Sequence, residues 1–97
     1  MPYAINSYDH PGSVEKRLAL RPEHLDWLRE NTPRLLAAGA KRNEEGDPIG
    51  SLVIVDVETI EEAEEFAKAD PYSREGLFAK VEITDWNKAF FNFEALV

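Results

Sequence analysis

The sequence SLVIVDV at residues 51–57 decides the fold, because its apolar residues run together instead of alternating with polar ones. A strand with one wet face alternates, whereas Leu52 to Val55 are apolar at every position. We therefore expect a strand from Ser51 to Val57 that is covered on both faces. Helices of the same chain can cover one face of this strand, and another layer of structure must cover the other face.

Two helices are predicted on either side of this strand. The first is expected to begin near Pro22, since proline suits the first turn of a helix, and to end near Asn31. Residues 10–21 then form a long loop with at most one helical turn. The second helix is expected from Ile60 to Ala69, where apolar residues repeat at helical spacing, with Thr59 as N-cap and Glu62 as its capping-box partner.

Further strands complete a β-α-β-β-α-β order; they are expected from Tyr3 to Tyr8, from Leu35 to Lys41 and from Leu77 to Thr84. This order is the split βαβ, or ferredoxin-like, arrangement of α+β proteins. It has a four-stranded antiparallel sheet with two helices on one face. Because the other face would be open, we expect a second copy to pack its sheet there and form a homodimer. The tail from Trp86 to Val97, rich in aromatic residues, is also expected to dock on a surface.

Composition narrows the class of protein. The length of 97 residues favours a single domain over residues 1–97, and the net charge of −8 disfavours nucleic acid and anionic membranes as partners. The absence of cysteine excludes disulfides and cysteine–zinc sites. Neither a signal peptide nor an apolar run long enough for a bilayer is visible, so a cytoplasmic location is expected. No phosphate-binding loop or dinucleotide fingerprint occurs, and no cofactor is expected.

Two motifs resemble those of the YciI-like family. The stretch from Glu15 to Leu25 is similar to its KR-x-x-x-RP-x-HL pattern, and the stretch from Ala67 to Tyr72 is similar to its A-x-x-DPY pattern. The resemblance implies a dimeric α+β barrel of ferredoxin-like subunits. It also implies a cleft that holds a histidine and an aspartate, here His24 and Asp70. At least one relative is an enzyme that removes chloride from a chlorinated hydroxyquinol.

His24 is the candidate acid–base catalyst, since imidazole takes and returns protons near neutral pH. In the first turn of its helix, the helix dipole would disfavour the imidazolium and keep the ring neutral as a base. The alternative is a structural histidine bonded to a carbonyl.

Asp70 is the candidate partner of His24, with an ordinary Asp-Pro turn as its alternative role. Its carboxylate at a helix end opposes the helix dipole and therefore requires a compensating partner. We expect the two helices to run parallel, which would separate the start of the first from the end of the second. The two side chains could then meet only if the long loop lets the first helix begin nearer the end of the second, or if they come from different subunits of the dimer.

Four further side chains are candidates for substrate binding. Arg17 and Arg21 are expected to bind an anionic or phenolic group, with surface salt bridges to Glu15 and Glu23 as their alternative role. Tyr72 is a candidate hydrogen-bond donor or a packing residue, and Tyr8 is a weaker candidate.

Two functions follow as hypotheses. The first is a small enzyme that uses His24 and Asp70 for elimination, isomerisation or hydrolysis of a small molecule, with an aromatic one as an option. The second is a non-catalytic dimeric module that binds a small ligand. A metal site made by His10, His24 and Asp70 is a minor alternative that the spacing does not support, so no metal is expected.

Overall fold

A computed structural model describes residues 2–97 of the chain. The helices are α1 (Val14–Glu30), α2 (Ile60–Ala69) and α3 (Pro71–Arg74), with a short 3-10 turn at Thr32–Arg34. The main strands are β1 (Pro2–Asp9), β2 (Leu35–Arg42), β3 (Pro48–Asp56) and β4 (Phe78–Asp85), and a small hairpin in the tail consists of β5 (Phe90–Phe91) and β6 (Glu94–Ala95).

The main sheet has the order β2-β3-β1-β4, with antiparallel pairing throughout. This arrangement confirms the α+β, ferredoxin-like fold predicted from the sequence. The core lies between the sheet and the helices, and its buried members are Ile5, Val53, Val55, Val57, Ala63 and Phe66. The predicted N-cap is also present, since the Glu62 amide donates to Thr59 Oγ1 at 3.2 Å.

Helix α1 begins at Val14, so the long loop expected over residues 10–21 is wrong. Pro22 lies inside the helix, where it cannot donate to the carbonyl of Leu18. Both residues are exposed, and water can bond that carbonyl instead. The buried side of the helix carries Arg17 and His24. Because His24 lies far from the first turn, the helix-dipole argument for a neutral imidazole does not apply.

The two main helices run antiparallel, and the parallel arrangement expected from the sequence is wrong. Strands β1 and β3 are antiparallel neighbours, and each is followed by a helix that runs back along the sheet. The helices must therefore also oppose each other in direction. As a result, the first half of α1 and the end of α2 lie at the same end of the sheet.

The sheet face away from the helices is only partly covered. Val53 and Val55 are buried on the helix side, so Leu52 and Ile54 point to the other face, where Leu52 is 43% exposed. The tail begins with the Trp86 amide donating to the Pro2 carbonyl at 3.1 Å. Phe90 further along is 70% exposed. Within residues 2–97 the tail is docked only in part, since Trp86 and Phe91 are half-buried whereas Phe90 and Phe93 are largely exposed.

Candidate functional site

His24 and Asp70 are in direct contact within one subunit. His24 Nδ1 lies 2.9 Å from Asp70 Oδ1, and the exposed fractions of the two side chains are 8% and 7%. A carboxylate only accepts hydrogen bonds, so Nδ1 carries the hydrogen and donates it. This leaves Nε2 as the imidazole nitrogen that can exchange a proton. No contact across a dimer is needed to bring the two residues together.

Asp70 belongs to two elements at once. It ends α2, and it is the N-cap of α3, where Oδ1 accepts from the Tyr72 amide at 2.9 Å. Pro71 follows at the first helical position, where the missing N–H costs nothing. The Asp70 carboxylate lies unfavourably at the C-terminal end of the α2 dipole, but its contacts with the Tyr72 amide and with His24 compensate for this. The turn and the pair were alternatives in the sequence, and the structure contains both.

Tyr72 lies between His24 and Arg17. Its ring stacks on the imidazole with centroids 3.9 Å apart, and the Arg17 Cζ atom lies 4.5 Å from the Tyr72 ring centroid. Arg17 and His24 are seven residues apart on α1, about 10.5 Å along the helix axis, so one ring fits between them. Burial raises the pKa of Tyr72 above its ordinary 10.0, although Arg17 opposes the shift. Tyr72 is therefore a neutral phenol at neutral pH.

Arg17 is held from behind by residues that the sequence reasoning missed. Its Nη1 donates to both carboxylate oxygens of Asp9 at 2.9 and 3.0 Å, and its Nη2 donates to Ser51 Oγ at 2.5 Å. Burial raises the pKa of Asp9, and the Arg17 hydrogen bond and charge oppose that shift. A signal for Asp9 existed in the sequence, since an acidic residue ends the first strand just before the helix that carries Arg17. Ser51 offered no such signal.

A cavity of about 230 Å³ opens beside these residues, between α1 and β2. Arg17, Arg21, His24 and Tyr72 line its polar side. Its apolar side is formed by residues from α1, β2 and β3, including Leu18, Leu25, Leu28, Ala38, Ala40 and Pro48. The structure therefore brings five of the six predicted site residues together, four in the cavity wall and Asp70 directly behind His24.

Tyr8 is not part of this group. Its neighbour Ser7 is buried on the helix side, so Tyr8 points to the opposite face of the sheet and is 40% exposed. There its hydroxyl accepts from Asn6 Nδ2 at 3.0 Å, and Lys41 Nζ lies 3.4 Å from the ring centroid. His10 is exposed, and the described part of the chain contains no group of three His, Cys, Asp or Glu side chains arranged for a metal ion.

No helix within residues 2–97 has the length and apolar character needed to cross a membrane.

Comparison with known proteins identifies relatives of the whole chain. Protein YciI from Escherichia coli is 38% identical over 98 residues, covering 93% of this chain and 100% of the relative. An uncharacterised protein from Haemophilus influenzae is 36% identical over the same shares. Among solved structures, 5-chloro-2-hydroxyhydroquinone dehydrochlorinase (TftG) from Burkholderia phenoliruptrix AC1100, in complex with 2,5-dihydroxybenzoquinone, is similar with a TM-score of 0.82 and 27% identity. That match covers 90% of this chain and 94% of TftG.

The model of the YCII-related domain matches residues 1–87, which is most of the chain. This match and the relatives that span the chain confirm the resemblance inferred from the two sequence motifs. The protein belongs to the family of YCII-related domains, the YciI-like family.

Proposed function

We propose that this protein is a small enzyme in which His24 moves a proton at the wall of the cavity and Asp70 supports it. The observation that carries the proposal is the 2.9 Å contact between His24 Nδ1 and Asp70 Oδ1 beside an open cavity. A buried histidine that only held the fold would not need to line a cavity large enough for a ligand, as His24 does.

The chemistry follows from the orientation of the pair. Nε2 accepts a proton from a C–H or O–H group of the substrate, and the imidazolium that forms is stabilised by the Asp70 carboxylate. The proton then returns to another atom of the substrate or to its leaving group. The stack on Tyr72 and the hydrogen bond to Asp70 hold the ring still, so little reorganisation is needed. Elimination, isomerisation and hydrolysis all use such a step.

The likeness to TftG supports a small aromatic substrate. That protein is a dehydrochlorinase of a substituted hydroquinone, and its complex contains a one-ring quinone. The cavity here combines its polar groups with leucine side chains of α1 and alanine side chains of β2, which suits a ring with hydroxyl substituents. Arg17, Arg21 and Tyr72 are the residues we propose to contact it.

We also propose that the chain forms a homodimer through the open face of its sheet. Leu52 and Ile54 lie on this face, and pairing places Ala4 beside Ile54 and Ala37 on its other side. Such an apolar patch is typical of a surface that another layer covers. Sedimentation equilibrium should give twice the chain mass of 11.0 kDa, and a monomer mass at micromolar concentration would contradict the dimer. The cytoplasmic location stays a prediction from the sequence.

The catalytic proposal is tested with His24→Gln and with His10→Gln as the matched control. Both replace a histidine, but His10 is exposed and outside the cavity. A screen of phenols, lactones and chlorinated aromatics first identifies a compound that the unchanged protein converts. We expect His24→Gln to lower kcat about 10² to 10⁴-fold, which is the usual contribution of a positioned acid–base group, and His10→Gln to leave it unchanged.

Two results would contradict the enzyme. One is turnover that survives His24→Gln while circular dichroism shows an intact fold. The other is a screen in which compounds bind in the cavity but none of them is converted, which would favour the non-catalytic binding module.

A further inference from the structure

The cavity is cationic in a protein that is strongly acidic. The chain carries a net charge of −8, yet the described cavity wall contains two arginines and no aspartate or glutamate. Random placement of surface charge in such a chain would surround the opening with carboxylates. We propose that the ligand of this cavity is a small, planar organic anion whose acidic group binds Arg21. The inference rests on the proposed function in so far as both concern the same cavity.

Arg17 lines the cavity but does not form the ion pair with this anion. Its guanidinium already has a carboxylate partner in Asp9, a hydroxyl acceptor in Ser51 and the face of Tyr72 beneath it. It is also only 4% exposed. A ligand would have to displace the Asp9 carboxylate in order to form a bidentate ion pair with Arg17. Its charge is compensated inside the protein and contributes little attraction for a second anion.

Arg21 has the opposite environment. It is exposed, lines the cavity, and has no hydrogen-bond or ion-pair partner among residues 2–97. The nearest acidic residue in sequence, Glu23, pairs with Arg74 at 3.2 Å. A guanidinium without a partner offers the planar pair of donors that matches a carboxylate or a phenolate. Arg21 therefore supplies the cation that selects the charge of the ligand.

The size and walls of the cavity limit the ligand to about one ring. An engineered apolar cavity of about 150 Å³ accepts benzene, so about 230 Å³ accepts one ring with a few substituents. Ala38 and Ala40 face α1, because their strand partners Val53 and Ser51 are buried on that side. These short side chains and the leucines of α1 form the apolar part of the cavity wall.

The residue proposed to bind the charge, Arg21, also lies close to the proposed acid–base residue, His24. Arg21 and His24 are three residues apart on α1, so their Cβ atoms are about 5–6 Å apart. A one-ring anion can thus place its acidic group on Arg21 while a hydroxyl or C–H group approaches His24.

The experiment compares an acid with its neutral amide on two arginine variants. The probes are 4-hydroxybenzoate and 4-hydroxybenzamide, which share the ring and hydroxyl and differ in charge. Their dissociation constants are measured by NMR titration on the unchanged protein, on Arg21→Gln and on Arg29→Gln. Arg29 is the matched control, since it is an exposed arginine of the same helix that pairs with Asp26 and does not line the cavity.

We expect the acid to bind at least tenfold more tightly than the amide to the unchanged protein and to Arg29→Gln. In Arg21→Gln this ratio should fall to nearly one, mainly through weaker binding of the acid. Equal binding of acid and amide to the unchanged protein would overturn the proposal, and so would a ratio that survives in Arg21→Gln. Failure of both probes to bind at millimolar concentration would also count against a one-ring anion.

This test is separate from the test of catalysis. A protein that binds the acid through Arg21 but never converts any compound keeps the charge selection and loses the enzyme. A protein that converts neutral molecules in a His24-dependent manner, with no effect of Arg21→Gln, keeps the enzyme and loses the charge selection.

Discussion

Arg17 and Arg21 lie one helical turn apart on α1 and line the same cavity, but their surroundings differ completely. Arg17 is buried and is held by Asp9 and Ser51, whereas Arg21 is exposed and has no partner among the described residues. The difference arises from the sheet below them, because the last residue of β1, Asp9, and Ser51 in the first half of β3 place a carboxylate and a hydroxyl under Arg17. Arginine thus supports the structure in one turn of α1 and, within residues 2–97, is free at the wall of the cavity in the next.

The largest effect is expected from Arg17→Met. This change leaves the Asp9 carboxylate buried without its partner, and breaking such a pair from one side costs about 3–5 kcal/mol. The free energy of unfolding from urea denaturation measures it. Arg21→Gln is the matched control, and its cost should stay within about 0.5 kcal/mol, as for most surface changes.

A second substitution makes the comparison sharper. If the cost of Arg17→Met comes from the unpaired carboxylate, adding Asp9→Leu should recover part of the lost stability. A double variant that is as unstable as the two single costs added together would show that the pair is not the cause. An equal loss in Arg21→Gln would remove the contrast between the two arginines.

A smaller effect is expected in the pH dependence of stability. Burial raises the pKa of Asp9 above its ordinary 3.8, so the folded state binds this proton more tightly than the unfolded state does. Between 3.8 and the raised pKa, the contribution of Asp9 to the free energy of unfolding therefore falls as pH rises. Below 3.8 both states are protonated, and that contribution is fully present.

The measurement is the difference in free energy of unfolding between the unchanged protein and Asp9→Asn, taken from pH 3 to pH 7. We expect this difference to decrease as pH rises, whatever its sign at pH 7. A difference that increases with pH would mean that Arg17 outweighs burial and lowers the pKa of Asp9. Taking the difference removes the contributions of the other carboxylates, which both proteins share.

Much of the fold could be predicted because it depends on local patterns. The apolar run from Leu52 to Val55, the helical spacing after Ile60 and the Thr59 cap each act over a few residues. The start of α1 was wrong because proline at position 22 is compatible both with a first turn and with an exposed helix interior. The burial of Arg17, five residues before the proline, decides that Pro22 lies in the helix interior and not in its first turn.

The candidate site divides in the same way. The two motifs single out five residues, and the structure brings them together at one cavity: Arg17, Arg21, His24 and Tyr72 in its wall and Asp70 behind His24. Tyr8 was grouped with them because it ends the first strand, but alternation along β1 turns its side chain to the other face. Asp9, one residue later, points to Arg17 and was missed.

The sequence by itself determined the order of the main helices and strands, much of the core and the candidate site residues, because these depend on local spacing and motifs. The opposed directions of α1 and α2 follow from the predicted antiparallel sheet, but only the tertiary structure decided that His24 and Asp70 come into contact and that Asp9 compensates Arg17 and not Arg21. These contacts join residues 46 and 8 positions apart. Their formation depends on how the sheet and helices pack in three dimensions, which no local pattern specifies.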